Sequence, residues 1–385
     1  MTTPRVYING RFLSQKQTGV QRYAHETLQA LDKLLASGCA RTPLEVCLLA
    51  PAGATLPSLR AIDARTVGPF TGNLWEQVTL PLHAHDGVLW SFGPTGPVVR
   101  ANQAVTIHDA NVRVVPQTYS RAFRAWYGVT MPVLARRCQV ITVSEFSRAE
   151  VARHFGAPFE HIRVSGEGWQ HAARVEPDYG VLAKHGLTSG RYVLAVSSVT
   201  PHKNFAVIER ALARLADANI QVVVAGDVNP RIFEALPARS LESVALVGYV
   251  TNAELRALYE HACVFAYPSL YEGFGLPPLE AMACGCPVIA ANAASMPEVC
   301  GDGAWYFSPH DDAELARLIR RVVSDPAARQ TLIRRGQAQL ARHSWEAAAR
   351  IHLAAIESRV AASVRSAYLG PRRADFGEAV PVAAE

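Results

Sequence analysis

The 385-residue chain is 49% hydrophobic and 18% charged, which is typical of a globular protein long enough to form two domains. Its formal net charge of +5 is too small to indicate a nucleic-acid-binding protein, but it fits an anionic ligand or an anionic lipid surface. Seven scattered cysteines, an odd number, favour reduced thiols over a disulfide framework.

Short apolar runs alternate with helical patterns along the chain. Ten of these runs predict strands, at residues 6–8, 46–49, 88–90, 104–107, 140–143, 192–196, 221–225, 245–247, 264–267 and 287–290. Helical patterns, such as those at 19–35 and 205–216, lie between most of them. This alternation is typical of α/β proteins with parallel sheets, and the number of strands suggests two doubly wound units.

A domain boundary is predicted in the irregular segment at 167–190, which Gly and Pro residues interrupt. Residues 1–175 would then form one Rossmann-like domain and residues 190–345 a second one. A last helical pattern covers 346–370. Residues 371–385 contain few large apolar groups, so we expect a disordered tail there.

The chain starts with a strand pattern and lacks the basic and apolar regions of a signal peptide. No stretch approaches the ~18 consecutive apolar residues of a transmembrane helix. We therefore expect a cytoplasmic protein, and peripheral contact with the inner face of the membrane stays open. The basic, aromatic stretch at 119–137 fits such a surface, but an ordinary helix with a solvated arginine face explains it slightly better.

Two loops of the first half are candidates for ligand binding. Thr18 is a predicted N-cap for the helix after Gly19, where free N–H groups would face a ligand, although a plain tight turn explains the glycine nearly as well. His108 and Asp109 follow a strand directly, at the carboxyl edge where open α/β sheets bind ligands. A histidine at a strand end is also often only a hydrogen-bonded structural residue.

In the second half, a polar loop that contains Ser198 joins a strand to a helix near Asn204, a predicted N-cap. Lys203 then lies beside the helix N-terminus, where its charge would help to neutralise a diphosphate. A lysine alone is more often a plain surface residue, so this interpretation depends on the next motif.

The most informative segment is 269–288, in which Glu272 and Glu280 flank a glycine-containing turn and a proline pair. The prolines suit the first turn of a helix, and Gly273 and Gly275 let the backbone come close to a ligand. A strand, a glycine loop and a helix N-terminus attract phosphate, and the two acids would hold hydroxyl groups. Taken singly, each acid also has a structural explanation. Glu280 is a favoured first-turn residue of a helix, and Glu272 is a solvated loop residue.

The string Glu272-Gly-Phe-Gly-Leu-Pro-Pro-Leu-Glu280 resembles the E-x7-E signature of retaining glycosyltransferases of family 4, in particular mannosyltransferase-like enzymes of bacterial surface polysaccharide. The loops at His108 and Lys203 resemble those of the same family. The resemblance implies the GT-B fold, in which two Rossmann-like domains face each other across a cleft and a C-terminal helix crosses back to the first domain. Ser197 departs from the family, which usually has a phosphate-binding arginine there; Arg22 is a candidate replacement.

The resemblance also implies roles for individual residues. The expected catalytic residues are His108, Asp109 and Glu272. The expected donor-binding residues are Gly19, Ser198, Lys203, Val250, Gly273, Phe274, Gly275, Leu276 and Glu280. The candidates for the acceptor side are Arg22, Trp75 and Glu76.

Together, these features predict a metal-independent, retaining hexosyltransferase that needs no cofactor. It would move a sugar, with mannose from GDP-mannose as the first choice, to a saccharide or lipid-linked acceptor. No Asp-x-Asp metal pair follows a strand, and Asp311-Asp312, which precede Glu314, predict a helix capping box. Two alternatives stay open: a nucleotide-sugar 2-epimerase of the same fold, and a non-catalytic donor-binding subunit, which the serine at position 197 favours slightly.

Overall fold

The computed structural model describes residues 3–196, 200–215, 220–226 and 244–369, and these residues contain two sheets. The strands of the first sheet are β1 Arg5–Asn9, β2 Glu45–Ala50, β3 Asp63–Thr66, β4 Val88–Ser91, β5 Gln103–Thr106, β6 Gln139–Thr142 and β7 Ile162–Val164. The strands of the second sheet are β8 Tyr192–Val196, β9 Gln221–Ala225, β10 Val244–Gly248, β11 Val264–Tyr267, β12 Val288–Ala291 and β13 Ala304–Phe307.

Both sheets are parallel throughout, in the orders β3-β2-β1-β4-β5-β6-β7 and β10-β9-β8-β11-β12-β13. The chain order reverses between β1 and β4 in one sheet and between β8 and β11 in the other. Ligands of doubly wound folds bind beyond the carboxyl ends of the strands at such reversal points. The predicted fold class, α/β with two doubly wound sheets, is confirmed.

All ten predicted strands are present, within one or two residues at each end. Three further strands, β3, β7 and β13, were not predicted, and each of them is the edge strand of its sheet. An edge strand has only one neighbour, so it needs less apolar sequence than a central strand. Asp63–Thr66, for example, is largely exposed and contains a single apolar residue.

Fifteen α-helices surround the two sheets within the described residues. They are Gly19–Ala36, Gly72–Leu74, Leu80–His83, Asn111–Val114, Arg121–Arg137, Glu145–Phe155, Gln170–Ala173, Gly180–Lys184, Phe205–Ala213, Asn252–His261, Leu276–Ala283, Met296–Cys300, Asp312–Ser324, Pro326–Leu340 and Trp345–Leu369. Thr18 is the N-cap of the first helix, as predicted. Asp311 caps the helix that begins at Asp312, because its carboxylate accepts from the Glu314 N–H (2.8 Å). Only this half of the predicted capping box forms, since the Glu314 carboxylate accepts from the Ser308 N–H (3.1 Å) instead of the Asp311 N–H.

The last helix, Trp345–Leu369, packs against Gly19–Ala36 through the fully buried His352. The Trp90 indole N–H donates to His352 Nδ1 (2.9 Å), so the ring proton is on Nε2 and points to the Tyr23 oxygen (2.6 Å). Burial lowers the pKa of His352 to about 3, which keeps the ring neutral. This histidine therefore fixes the C-terminal helix on the β1–β4 side of the first sheet.

All seven cysteines are free thiols, as predicted. Among the helices that the structure describes, none is long and apolar enough to cross a bilayer. The predicted disordered tail at 371–385 lies outside the described residues.

Candidate active site

The glycine loop follows β11 and ends in the helix Leu276–Ala283, which has prolines in its first turn as predicted. Gly275 is the N-cap and has a φ of 105°, a conformation that residues with a side chain rarely adopt. A Cβ atom there would also lie 2.3 Å from the Met296 side chain. The turn therefore requires glycine at position 275, and the same turn determines where the helix N-terminus points.

Gly273 brings the two halves of the molecule into contact. A Cβ atom at this position would lie 2.3 Å from the His108 carbonyl oxygen. The Ser144 hydroxyl, at the start of the helix Glu145–Phe155, donates to the Gly273 carbonyl oxygen (2.5 Å). We predicted that Gly273 lets the backbone approach a ligand; the close neighbour in the structure is the loop that carries His108.

Glu272 and Lys203 form a partly buried ion pair between two loops of the second sheet. The Tyr267 hydroxyl donates to the same carboxylate oxygen (2.7 Å). Burial by itself acts to raise the pKa of Glu272, but the charge and hydrogen bond of Lys203 outweigh it, so the pKa lies below its ordinary value. Glu272 is thus ionised, and Lys203 lies beside it at the carboxyl edge of the sheet.

Asn204 is the N-cap of Phe205–Ala213, but its side chain does not cap the helix as we predicted. Its amide donates instead to the carbonyl oxygens of Pro268 and Pro309 (3.2 and 2.7 Å), and its φ is 54°. The amide thereby ties the Lys203 loop to the start of the glycine loop. Ser198, the other residue predicted in this loop, lies outside the described residues.

Glu280 is buried in the second turn of its helix, so its explanation as a first-turn acid is wrong. His171 Nε2 lies 2.8 Å from one carboxylate oxygen, and the Tyr259 hydroxyl donates to the other (3.2 Å). Arg22 Nε is 3.9 Å away. Burial acts to raise the pKa of Glu280, but these three neighbours together bring it below its ordinary value.

His171 and Trp345 are members of this site that the sequence analysis missed. The Trp345 indole N–H donates to His171 Nδ1 (3.1 Å), so the ring proton must be on Nε2, from which it is donated to Glu280. Both side chains are buried. His171 stands in the segment that we interpreted as a domain boundary, and nothing in its local pattern indicates a partner.

Arg22, a candidate for the acceptor side, lies instead next to Glu280. Its guanidinium donates to the Asn252 side-chain oxygen (2.8 Å), which joins the first helix to the second half of the chain. Gly19, one turn earlier, has open space around the position of a Cβ atom. Val250 is half-buried against the hydrophobic core, two residues before Asn252.

Phe274 and Leu276, which flank Gly275, are both buried. The Phe274 ring packs edge-on against His343 (5.5 Å between centroids). Their side chains are therefore part of the core, and only their backbone groups are candidates for ligand contacts.

His108 lies opposite Gly273, just beyond the carboxyl end of β5. Both of its ring nitrogens are buried and have no hydrogen-bond partner among the described residues. The ring packs edge-on against Tyr23 (4.7 Å between centroids), and burial lowers the pKa of His108 to about 4. The ring is thus neutral near pH 7, with one N–H donor and one acceptor available.

Asp109 accepts hydrogen bonds from the backbone and side-chain nitrogens of Asn111 (both 2.8 Å). Burial nevertheless raises its pKa, and Glu272 contributes in the same direction. Asp109 therefore lies within electrostatic reach of the acid on the second sheet.

A cavity of about 560 Å³ adjoins His108 and Asp109 on the side of the first sheet. Glu76 also lines it, almost fully buried, and accepts from the side chains of Asn9 (2.9 Å) and Arg11 (2.8 Å). Glu76 thus lines the cavity, as its predicted place on the acceptor side requires.

Trp75 is fully buried in the core, where its indole N–H donates to the Val67 carbonyl oxygen (2.8 Å). The prediction that Trp75 forms an acceptor wall is therefore wrong.

Glu167 is a further acid that the sequence analysis missed. It is 6% exposed, and no hydrogen bond or ion pair of the described residues involves it. Burial, followed by the charges of Glu280, Glu272 and Asp109, raises its pKa well above the ordinary value. Burial and the three other carboxyl groups therefore favour the protonated form of Glu167.

Comparison with known proteins identifies the family. Residues 182–339 match the model of the glycosyl transferases group 1. O-antigen chain mannosyltransferase B of Escherichia coli is 32% identical over 265 residues, which cover 64% of this chain and 68% of that protein. The chain belongs to the group 1 glycosyltransferases.

Other relatives match over smaller parts of their sequences. O-antigen chain mannosyltransferase RfbU of Salmonella typhimurium is 27% identical over 238 residues, which cover 61% of this glycosyltransferase and 64% of RfbU. The serotype-specific mannosyltransferase WbdA of Escherichia coli is 36% identical over 165 residues, but the match covers only 20% of WbdA.

Solved structures confirm the GT-B fold. The glycosyltransferase WaaG, involved in lipopolysaccharide biosynthesis, superposes with a TM-score of 0.67 at 16% identity, over 91% of this chain and 99% of WaaG. Anabaena HepE in complex with UDP-glucose superposes with a TM-score of 0.62 at 18% identity, over 94% of this chain and 99% of HepE.

Proposed function

We propose that this glycosyltransferase moves mannose from GDP-mannose to a saccharide or lipid-linked saccharide acceptor, with retention of the anomeric configuration and without a metal ion. The names of the relatives support the choice of sugar, since several of them are mannosyltransferases of O-antigen chains. The observation that carries the proposal is the partly buried Glu272–Lys203 pair, which lies at the glycine loop that contacts the His108 loop.

The diphosphate of the donor would bind between Lys203 and the N-terminus of the helix Leu276–Ala283. Lys203 is paired with Glu272 at the start of the loop, and the backbone N–H groups at Phe274–Leu276 have the positive end of the helix dipole behind them. When the diphosphate takes Lys203, Glu272 is free to accept hydrogen bonds from hydroxyls of the transferred sugar. The same charges stabilise the nucleoside diphosphate as it leaves.

Glu280 would hold the ribose hydroxyls. Its carboxylate is ionised and buried, and its orientation is fixed by His171 and Tyr259. The neutral His108 ring would bond to a hydroxyl of the transferred sugar, since it has a free donor and a free acceptor. Closure of the two halves over the donor excludes water, which would otherwise hydrolyse it.

The proton of the acceptor hydroxyl would pass to the leaving diphosphate on the same face of the sugar. The bond between the anomeric carbon and the phosphate oxygen breaks, the bond to the acceptor oxygen forms on that face, and GDP leaves with the proton. No strongly basic side chain is then required, which agrees with a neutral His108 whose pKa is lowered.

The test is incubation of the purified chain with GDP-mannose, UDP-glucose, dTDP-glucose or ADP-glucose, with and without methyl α-mannopyranoside, in buffer and in EDTA. We expect release of GDP, an α-linked product by NMR, the same rate in EDTA, and loss of turnover in Glu272→Ala. A β-linked product would refute retention, and inactivation by EDTA would refute the metal-free mechanism. A C2 epimer formed from donor alone would indicate the epimerase, and no turnover of any donor would indicate a binding subunit.

A further inference from the structure

Glu167 is a buried acid that the proposed mechanism does not use. It follows β7 at the carboxyl edge of the first sheet, and its side chain is 6% exposed. No described residue bonds to its carboxyl group, and neither carboxyl oxygen is among the fully enclosed polar atoms that lack a partner. The carboxyl group therefore borders open space. A buried polar group without a partner costs free energy of folding, a cost that a bound ligand offsets.

The chain before Glu167 is fixed near His108. The Ser165 N–H donates to the Thr142 carbonyl oxygen (2.8 Å), and the Ser165 hydroxyl lies 2.8 Å from the Tyr23 hydroxyl. The Tyr23 ring packs edge-on against His108. The loop that carries Glu167 thus begins at a residue bound to the neighbour of the His108 ring.

The chain after Glu167 is fixed near Glu280. Gly168 has no room for a side chain, since a Cβ atom there would lie 2.3 Å from the Trp345 backbone nitrogen. The Trp345 indole in turn donates to His171, the partner of Glu280. Glu167 is therefore held from both sides, between the histidine proposed to hold the transferred sugar and the acid proposed to hold the ribose.

Three carboxyl groups act on Glu167, and their order of influence is Glu280, Glu272 and Asp109. Together with burial they raise the pKa of Glu167 well above its ordinary value, and no cation is among the groups that act on it. Within the described part of the chain, no three His, Cys, Asp or Glu side chains lie close enough together to hold a metal ion. The four acids are therefore spread around a space larger than one ion.

We propose that Glu167 donates a hydrogen bond to the diphosphate of the nucleotide sugar, from the side of the first sheet. Under the proposed function, on which this inference rests, Glu272 holds the transferred sugar and Glu280 holds the ribose. The diphosphate joins these two groups, so the acid that lies between Glu272 and Glu280 faces it. Phosphate oxygens only accept hydrogen bonds. A protonated carboxyl group donates to them, whereas a carboxylate repels them.

Equilibrium binding to the full chain tests this contact, by calorimetry with GDP, UDP, dTDP and ADP, and with guanosine and uridine as probes without phosphate. Glu167→Gln keeps a hydrogen-bond donor of similar shape that cannot ionise. Glu167→Met keeps the length of the side chain and removes the donor. Glu160→Gln is the matched control, because Glu160 is an exposed acid just before β7, at the opposite end of the same strand.

At pH 6, we expect Glu167→Met to bind the nucleoside diphosphate about tenfold more weakly than the natural chain, through the loss of one hydrogen bond. Glu167→Gln and Glu160→Gln should bind it as the natural chain does. Guanosine and uridine should bind equally to all four proteins, since they lack the phosphates. Equal diphosphate affinity in Glu167→Met and the natural chain would overturn the inference.

The pH dependence separates this contact from a structural role. As the pH rises from 6 to 9.5, Glu167 loses its proton in the free natural chain. Its diphosphate affinity relative to Glu167→Gln should then fall about tenfold for each pH unit above the pKa of Glu167. A ratio that stays constant over this range would overturn the inference even where the methionine variant does not fold. The titratable and charged neighbours cancel in the ratio because both proteins share them: Tyr23, Asp109, His171, Lys203, Glu272 and Glu280.

The same experiment separates this inference from the proposed function. If the variants behave as expected with UDP instead of GDP, the proposed base is wrong and the Glu167 contact stands. If the diphosphate binds as expected but no donor is turned over, the proposed transfer is wrong and the contact again stands. If donor is turned over while diphosphate affinity is the same in all variants, the contact is wrong and the function stands. Binding of none of the four diphosphates would overturn both.

Discussion

The two sides of the candidate site differ in how their polar groups are satisfied. On the second sheet, Glu272 and Glu280 already have partners, Lys203 and Tyr267 for the first and His171 and Tyr259 for the second. On the first sheet, the ring nitrogens of His108 have no partner within the part of the chain that the structure describes, and a cavity opens beside them.

This difference implies two modes of binding. Glu272 and Glu280 are held by their partners before a donor binds, so the donor must replace some of these contacts. Part of its binding free energy is therefore offset by the contacts that are lost. An acceptor fills space that is already shaped, and its affinity depends on apolar contacts and on a few hydrogen bonds. Mutations on the two sides should therefore affect different steps.

The largest expected effect is that of Lys203→Ala. It removes the cation proposed to stabilise the leaving diphosphate, which should cost about 2–4 kcal/mol of transition-state stabilisation. The measurement is kcat/KM for GDP-mannose. The matched control is Lys184→Ala, which breaks the exposed ion pair with Glu254 and should leave the rate unchanged. An unchanged rate in Lys203→Ala would place the diphosphate elsewhere.

The next effect concerns His108 and the dependence of stability on pH. Its pKa falls from an ordinary 6.5 to about 4 on folding, so the unfolded chain binds a proton between these values that the folded chain does not. The free energy of unfolding should therefore decrease by up to about 3 kcal/mol as the pH falls through this window.

Chemical denaturation at pH 7 and pH 4.5 checks this, with His108→Gln against the natural chain. The carboxylates of the site and His352 also lose stabilising interactions at low pH, but they are common to both proteins. The difference between the two proteins isolates His108, and the variant should show the smaller loss. His310→Gln, at an exposed position, should behave like the natural chain. Parallel losses in all three proteins would refute a buried neutral His108.

A smaller effect is expected from His171, which positions Glu280. His171→Ala should raise KM for the nucleotide sugar about tenfold, or roughly 1.4 kcal/mol, and change kcat little, since the ribose is remote from the bond that breaks. His171→Gln keeps a donor for Glu280 and should restore most of the affinity. Trp345→Phe removes the indole N–H and keeps one aromatic ring, and should lie between the two. A loss of thermal stability with unchanged KM in His171→Ala would show that the histidine is merely structural.

Two adjacent residues show how much of the site could be predicted from the sequence. Trp75 and Glu76 were both predicted at the acceptor side, but successive positions of a helical turn point in different directions. One side chain enters the core beneath Val67 and the other reaches the cavity. Only the packing of this turn on the first sheet decides which one is available to a ligand.

The order of the ten predicted strands, the two parallel sheets, the helix N-caps at Thr18 and Asp311 and the position of the glycine loop were determined by the sequence alone. Each of them depends on periodicity or turn chemistry within a few neighbouring residues. The partners of the two acids were decided only by the tertiary structure, since Lys203 is 69 residues from Glu272 and His171 is 109 residues from Glu280. The cavity beside His108 is of the same kind, since residues from 9 to 131 line it. Contacts over such separations arise from how sheets and helices pack, and no local pattern encodes them.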